Sequence, residues 1–318
     1  MELRLNRTSK LLAALLIVAA VGGRAVSSGA ALHLSQQRGQ RPRTTTQPQR
    51  AVTLPRSVMF REVRGRGLLV STWINSQGPF TFAVDTGAGI TVISPRVAGA
   101  AKVAIQAGPG PSIAGMSGTV VSAQAGTAQT IALGDPQNYL PGKTGVIITT
   151  GLPRDLDGLL DPNDAFGSLG YALDIPRQQL SFFDPRESPL SPRSQPRDGA
   201  VVTWQQQGGN HRPFVVLSTG EQALIDTGSS LGLGIHDSNP APAYSRASAV
   251  HDVGGSVSTR RVAPRTVSIG ALELRSVPTD MISGAASDAP VLLGLNALRP
   301  FILRFDPLHR LIEIAPSY

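Results

Sequence analysis

The 318-residue chain contains no cysteine. Disulfide frameworks, thiolate metal sites and cysteine nucleophiles are therefore excluded together, and the redox compartment is left open. Aromatic residues make up only 5% of the chain, too few for a base-stacking surface. Trp73 and Trp204 are read as packing residues, and no nucleic-acid partner is expected. The five histidines (His33, His211, His236, His251 and His309) are scattered, with no His-x-x-x-His pair. No metal or other cofactor is expected on that basis. Gly228-Ser229-Ser230-Leu231-Gly232 does not match the nucleophile elbow, although its serines leave Ser/His chemistry open at this point.

Acid is also scarce in one place. Residues 1–56 hold nine of the 29 basic side chains and only one of the 21 acids, Glu2, so the net charge of +8 resides there. The remainder is neutral, with 20 of each sign, and offers no basic face for nucleic acid. Arg4, Arg7 and Lys10 precede the apolar run Leu11–Val21, which at eleven residues is short for a bilayer span. Ser28-Gly29-Ala30 then supplies a small-x-small cleavage site. Residues 1–30 are expected to be a signal peptide or N-terminal anchor, which implies an exported (periplasmic or secreted) protein with membrane contact through this segment alone. Residues 31–56 lack hydrophobic periodicity and read as a flexible basic linker.

Glycine (34) and proline (25) are plentiful, which favours many turns and short strands over long helices. A second Pro/Ser-rich break, 185–199, separates segments 57–184 and 200–318, which are expected to be an N-terminal and a C-terminal lobe. The two segments repeat one order of features. Each opens with an apolar hairpin running into Asp-Thr-Gly. The first hairpin comprises Leu68–Asn75, a turn at Ser76-Gln77-Gly78, and Phe80–Val84 before Asp85. The second comprises Pro213–Leu217, a turn at Ser218-Thr219-Gly220, and Ala223–Ile225 before Asp226. A glycine-rich turn follows each, around Gly115–Gly118 and Gly254-Gly255. An apolar pair then leads to a short helix-compatible stretch, Leu159-Leu160-Asp161 in one half and Leu292-Leu293-Gly294 in the other. Terminal hairpins, Leu173–Phe182 and Phe305–Ile314, close both halves.

An acid directly after an apolar strand, with glycine two residues on, suits a tight loop at the end of a sheet. The intervening threonine has a hydroxyl free to bond a neighbouring loop. Two such loops meeting across a pseudo-twofold axis bring their carboxylates together. Like charges that close share one proton, which yields a base and an acid at once without metal or covalent intermediate.

In these features the chain resembles the pepsin/retropepsin superfamily of aspartic proteases, in particular two-lobed exported retropepsin-like proteins. The resemblance rests on Asp85-Thr86-Gly87-Ala88, Asp226-Thr227-Gly228-Ser229 and Leu292-Leu293-Gly294, and covers residues 57–316. It implies an all-β, bilobal fold with a substrate cleft between duplicated lobes. It further implies endopeptidase activity on peptide or protein substrates, and a monomer carrying the whole site. Asp85 and Asp226 become the catalytic pair, and Thr86, Gly87, Thr227 and Gly228 the support of the two loops. Met116, Ser117 and Gly118, with Gly254, Gly255 and Ser256, become flap residues that touch substrate.

The chain departs from that pattern in three places. Asp161 stands where the late element has glycine, and with Asp157 and Asp164 it is expected in a solvated turn. Ala88 follows the first Asp-Thr-Gly and Ser229 the second; a serine there helps keep its carboxylate ionised, so its absence beside Asp85 is expected to raise the working pH. Neither flap contains a tyrosine. A peptide-binding protein that keeps the fold without turnover, and a dimer with two sites, are the rival expectations.

Overall fold

The computed structural model describes residues 53–205, 207, 211–236 and 245–317, together with the backbone of a two-residue strand at Leu11–Leu12. The leader and cleavage site expected within 1–30, and most of the 31–56 linker, lie outside the described residues. No helix among the described residues is long and apolar enough to cross a membrane.

The chain is all-β, and its two halves are built alike. In the first half, strand Gly67–Ile74 pairs antiparallel with Gln77–Val84, the strand that delivers Asp85. The late strand Gly158–Leu160 runs parallel to Phe82–Val84 and antiparallel to Val92–Ile93. In the second half Phe214–Val216 pairs antiparallel with Gln222–Asp226. Val291–Gly294 runs parallel to Ala223–Asp226 and antiparallel to Leu233–Gly234. Strands paired in parallel are covered on both faces, which is why these segments are continuously apolar rather than alternating. Phe82, Val84, Leu160, Leu224, Ile225, Leu292 and Leu293 are all fully buried. Truncating one of the leucines to alanine costs about 2–5 kcal/mol at such sites.

The terminal hairpins of both halves join one six-stranded sheet. Its order is Ala200–Thr203, Leu311–Pro316, Phe301–Asp306, Gly170–Asp174, Gln179–Phe183, Val58–Met59. The seam between halves is the pairing of Gly170–Asp174 with Phe301–Asp306, where Tyr171 stacks on Phe305 with ring centroids 4.6 Å apart. This sheet anchors the lobes to each other beneath the two Asp-Thr-Gly loops. The expected interlobe linker packs onto it as well: Leu190 is buried, and its amide donates to Asp306 at 3.0 Å.

Two local expectations change. The first hairpin turns at Asn75-Ser76, both left-handed (φ 49° and 64°), and not at Ser76–Gly78. Asparagine tolerates that conformation, and its side chain ties the turn down by donating to the Ala101 carbonyl and accepting from Gln129 and Thr130. The turn at Asp161 is not solvated. Asp161 is fully buried and caps the short helix Pro162–Ala165, accepting from the Asn163 amide at 3.0 Å.

Candidate active site

Asp85 and Asp226 sit at the C-terminal ends of equivalent strands, and the two loops that follow are bound reciprocally. The Thr86 hydroxyl donates to the carbonyl of Ile225 (2.6 Å) and accepts from the Thr227 amide (3.1 Å). The Thr227 hydroxyl donates to the carbonyl of Val84 (2.9 Å) and accepts from the Thr86 amide (3.1 Å). All four groups are buried, so each bond satisfies a donor and an acceptor that water cannot reach. The structure thus brings Thr86 and Thr227 together across 141 positions of sequence.

The glycines bring the acids together. A methyl group on Gly87 would stand 2.6 Å from the carboxyl carbon of Asp226, and one on Gly228 only 2.3 Å from that of Asp85. Each carboxyl therefore lies against the opposite loop, where only glycine leaves room. Each is also held from its own loop. The Gly87 amide donates to Asp85 Oδ1 at 2.9 Å, and the amides of Gly228 and Ser229 donate to Asp226 Oδ1 at 2.9 and 3.0 Å. The serine supports its carboxylate through the backbone; its hydroxyl instead accepts from the Leu231 amide. The other oxygen of each aspartate, Oδ2, is buried without a donor while both groups are ionised. One proton resolves this, because a protonated carboxyl donates to its partner.

Electrostatics favour that single proton. Burial pushes the Asp85 carboxyl well above the usual carboxylate range, and the adjacent Asp226 and Asp161 push it the same way. Burial also raises Asp226, to about 6; contact with Asp85, the Gly228 and Ser229 amides and the Arg212 guanidinium all oppose the rise.

The residues expected to form flaps lie on two hairpins that clasp each other. One pairs Ser112–Ala114 with Val120–Ser122, and the other pairs Ser248–His251 with Ser256–Thr259. Met116, from the first, is buried among Phe214, Leu224, Leu231 and Leu292 of the second half. Val253, from the second, is buried among Leu69, Ala83, Val92 and Leu159 of the first half. The Ala286 amide bonds the Met116 carbonyl at 2.9 Å, and Gly254 and Gly255 lie against Val121 and Ser117. Gly118 meets Ala286, whereas Ser256 pairs within its own hairpin and is exposed. The expected cleft is accordingly closed: Asp85 and Asp226 are 1% and 0% exposed. A cavity of about 580 Å³ opens beside the second loop, lined by Ser230, Leu231, Arg64, Arg261, Asp280 and Arg299, but neither Asp85 nor Asp226 lines it.

Four further residues belong to the site. Arg212 is buried and acts electrostatically on Asp226 first, then on Asp161 and Asp288. Asn163 donates to the Thr86 carbonyl at 3.2 Å and accepts from the Tyr171 hydroxyl at 2.5 Å, bracing the first loop from below. Asp252 joins the flaps. Asp161, a departure in the motif, directly follows the strand Gly158–Leu160, whose Leu160 pairs with Val84 and accepts from the Asp85 amide. The Asn163 signal is visible in sequence, since Asn296 holds the matching place in the second half. Nothing local distinguishes Arg212 or Asp252.

Residues 70–141 match the family described as gag-polyprotein putative aspartyl protease. No curated protein matches the chain. The matched stretch contains Asp85-Thr86-Gly87 and the first flap, and the second half rebuilds the same loop on the same strand pattern. Residues 70–141 are thus similar to an aspartyl-protease family, and the all-β architecture is consistent with a pepsin/retropepsin-like fold.

Proposed function

We propose that the chain is an aspartic endopeptidase in which Asp85 and Asp226 activate a water molecule for attack on a peptide bond. One observation carries the reading: two buried carboxyls, each pressed against the other's loop, whose outer oxygens have no protein donor and are placed to hold a proton in common. The ionised member of the pair takes a proton from water, and the protonated member polarises the scissile carbonyl. Reciprocal threonine bonds keep the carboxyls in register for that exchange.

Substrate is a peptide or protein segment that displaces the flap tips and lies extended between the lobes, bonded strand-fashion to the hairpins. The tips then close over it and exclude water. Both loops come from one chain, which supports a monomeric enzyme. The basic, apolar and small-residue order of the leader supports export to the periplasm or beyond.

The test is cleavage of a mixed peptide library by the full chain and by Asp85→Asn and Asp226→Asn. Turnover in the parent, with a loss of about 10³-fold or more in each variant, is the expected result. Equal turnover in both variants would discard the mechanism. Peptide capture with no turnover would make the chain a binding protein on this fold.

A further inference from the structure

The two halves match strand for strand around the dyad, but not in charge. In the second half, Gly294 lies opposite Asp226 in the parallel ladder, and a methyl group there would stand 2.6 Å from the Leu231 carbonyl and 2.8 Å from that of Ser229. In the first half the equivalent place, one residue beyond the Val84–Leu160 pair, is Asp161. The Asp85 amide donates to the Leu160 carbonyl at 2.9 Å, so Asp161 follows directly on the contact that fixes the Asp85 backbone. Its Oδ1 is used by the Asn163 amide, and its Oδ2 is fully buried with no hydrogen-bond partner. A buried, half-satisfied carboxyl is costly wherever it sits, and a helix cap alone does not require one that is out of reach of water.

We propose that Asp161 is a positioning residue of the dyad. It places a third carboxyl beside Asp85, where the other lobe has only glycine, so that the shared proton stays on Asp85 and Asp226 serves as the ionised base. The inference rests on the aspartic-protease reading of the site. Supply of donors points the same way: Asp226 Oδ1 accepts two amides, Asp85 Oδ1 one, and amide bonds favour the ionised form. Arg212 completes the asymmetry, since its strongest electrostatic partner is Asp226.

The groups facing Asp161 are Asp85 on the neighbouring strand, Asp164 in the following turn, the Tyr171 ring and Arg212. His211 faces Asp164, and Asp288 faces Arg212. Burial and Asp164 hold the Asp161 carboxyl well above its ordinary range while Arg212 opposes them. Asp161 in turn pushes Asp85 up.

Roles follow. Water gives a proton to Asp226 as its oxygen bonds to the carbonyl carbon, and Asp85 gives its proton to the carbonyl oxygen. On collapse of the diol the Asp226 proton goes to the amine nitrogen as the C–N bond breaks, and Asp85 regains a proton from the diol hydroxyl.

Carboxyl ¹³C titration of the full chain, with Asp85 and Asp226 assigned through their Asn variants, tests the assignment without turnover. Asp85 is expected to lose its proton at higher pH than Asp226. Asp161→Asn, which keeps a capping side chain, is expected to lower the Asp85 midpoint by about one pH unit, and Asp161→Gly to do the same. Arg212→Gln should raise the Asp226 midpoint, and Arg212→Lys should restore it. The upper limb of the cleavage pH profile should fall with the Asp85 midpoint. An Asp226 that holds the proton in the parent would overturn the proposal, as would an unmoved Asp85 midpoint in either folded Asp161 variant. Should peptides remain uncut while Asp85 titrates as described, the protease reading and the catalytic roles fail together, and only the effect of Asp161 on the shared proton stands.

Discussion

Asp252 accepts two hydrogen bonds from Ser117, one from its amide at 2.5 Å and one from its hydroxyl at 3.1 Å, and so ties the two flap tips together. The carboxylate also presses on Gly115, where a methyl group would stand 2.5 Å from its carboxyl carbon. The latch keeps Met116 and Val253 each seated in the opposite half of the molecule. In the proposed protease, substrate replaces those contacts before it reaches Asp85 and Asp226.

Asp252→Ala removes both acceptors. Bonds to a charged acceptor contribute about 1.5–3 kcal/mol, so amide hydrogen exchange in 113–122 and 249–257 should accelerate by about tenfold or more. Exchange in the buried strand Gly158–Leu160 should not change. Unaltered exchange in both hairpins would mean that apolar burial of the tips holds them without the latch.

The meeting of Asp85 and Asp226 was legible in sequence because two copies of Asp-Thr-Gly each follow an apolar strand in matching surroundings. The all-β class followed from the paired apolar hairpins and from the resemblance they carry, whereas the parallel pairing of Gly158–Leu160 and Val291–Gly294 with the strands before each aspartate emerged only in the fold. Asp252 and Arg212 were not legible. Their partners lie in other lobes or loops, 135 positions away for Ser117 and Asp252, and a lone charge in a polar stretch looks the same whether solvated or buried. Asp161 was visible as a departure but misread as solvated, because the cluster Asp157, Asp161, Asp164 around Pro162 has the composition of a surface turn. Only its complete burial in the folded chain shows that the middle acid faces inward.

Burial of the acids makes stability depend on pH in a defined direction. The Asp226 carboxyl rises from its ordinary 3.8 to about 6 on folding, and Asp85 is raised further by its neighbours. The native state therefore binds more protons than the unfolded chain above about pH 4, and stability falls as pH climbs through the folded values. Asp226→Asn and Asp85→Asn remove the need for that proton. Each should be more stable than the parent at pH 8, by about 2–3 kcal/mol for Asp226→Asn, and nearly equal to it at pH 4. Urea unfolding at the two pH values checks this; variants equally destabilised at both would show that the carboxyls are held by bonds stronger than their burial cost.

The same titrations bound the proposed activity. Cleavage needs one carboxyl ionised, so kcat/KM should rise as pH passes about 6, where Asp226 loses its proton. It should fall again at the higher pH where Asp85 ionises. A profile that peaks well below pH 5 would contradict the burial of this pair.

Gly87 and Gly228 offer a steric test of the same contact. Alanine at either position places a methyl group 2.3–2.6 Å from the opposing carboxyl carbon, too close for any real pair of atoms, and the displaced atoms belong to a carboxyl fixed by its own loop. The loops must part. Both Gly→Ala variants should lose cleavage by about 10²-fold or more, as expected for reacting groups misplaced by about 1 Å. Alanine at Gly142, where nothing lies within 4 Å, should leave cleavage unaffected; its φ of +78° affects only that remote turn.

The threonine exchange predicts a coupling that neither residue shows alone. Each hydroxyl donates to the other half's carbonyl and accepts from the other threonine's amide, so Thr86→Ala removes two bonds and strands the Ile225 carbonyl and the Thr227 amide in a buried site. Leaving such groups unsatisfied costs about 1–3 kcal/mol each. Thr227→Ala does the same to the Val84 carbonyl and the Thr86 amide. Once one threonine is gone the loops can part and admit water, so the second loss should cost less than the first. The double variant should therefore be more stable than the sum of the singles predicts, by about 1 kcal/mol or more in a double-mutant cycle from urea unfolding. Thr→Ser keeps the hydroxyl and should recover most of each single loss. Strict additivity would mean that the two hydroxyls stabilise their loops independently, and that some other contact holds the acids face to face.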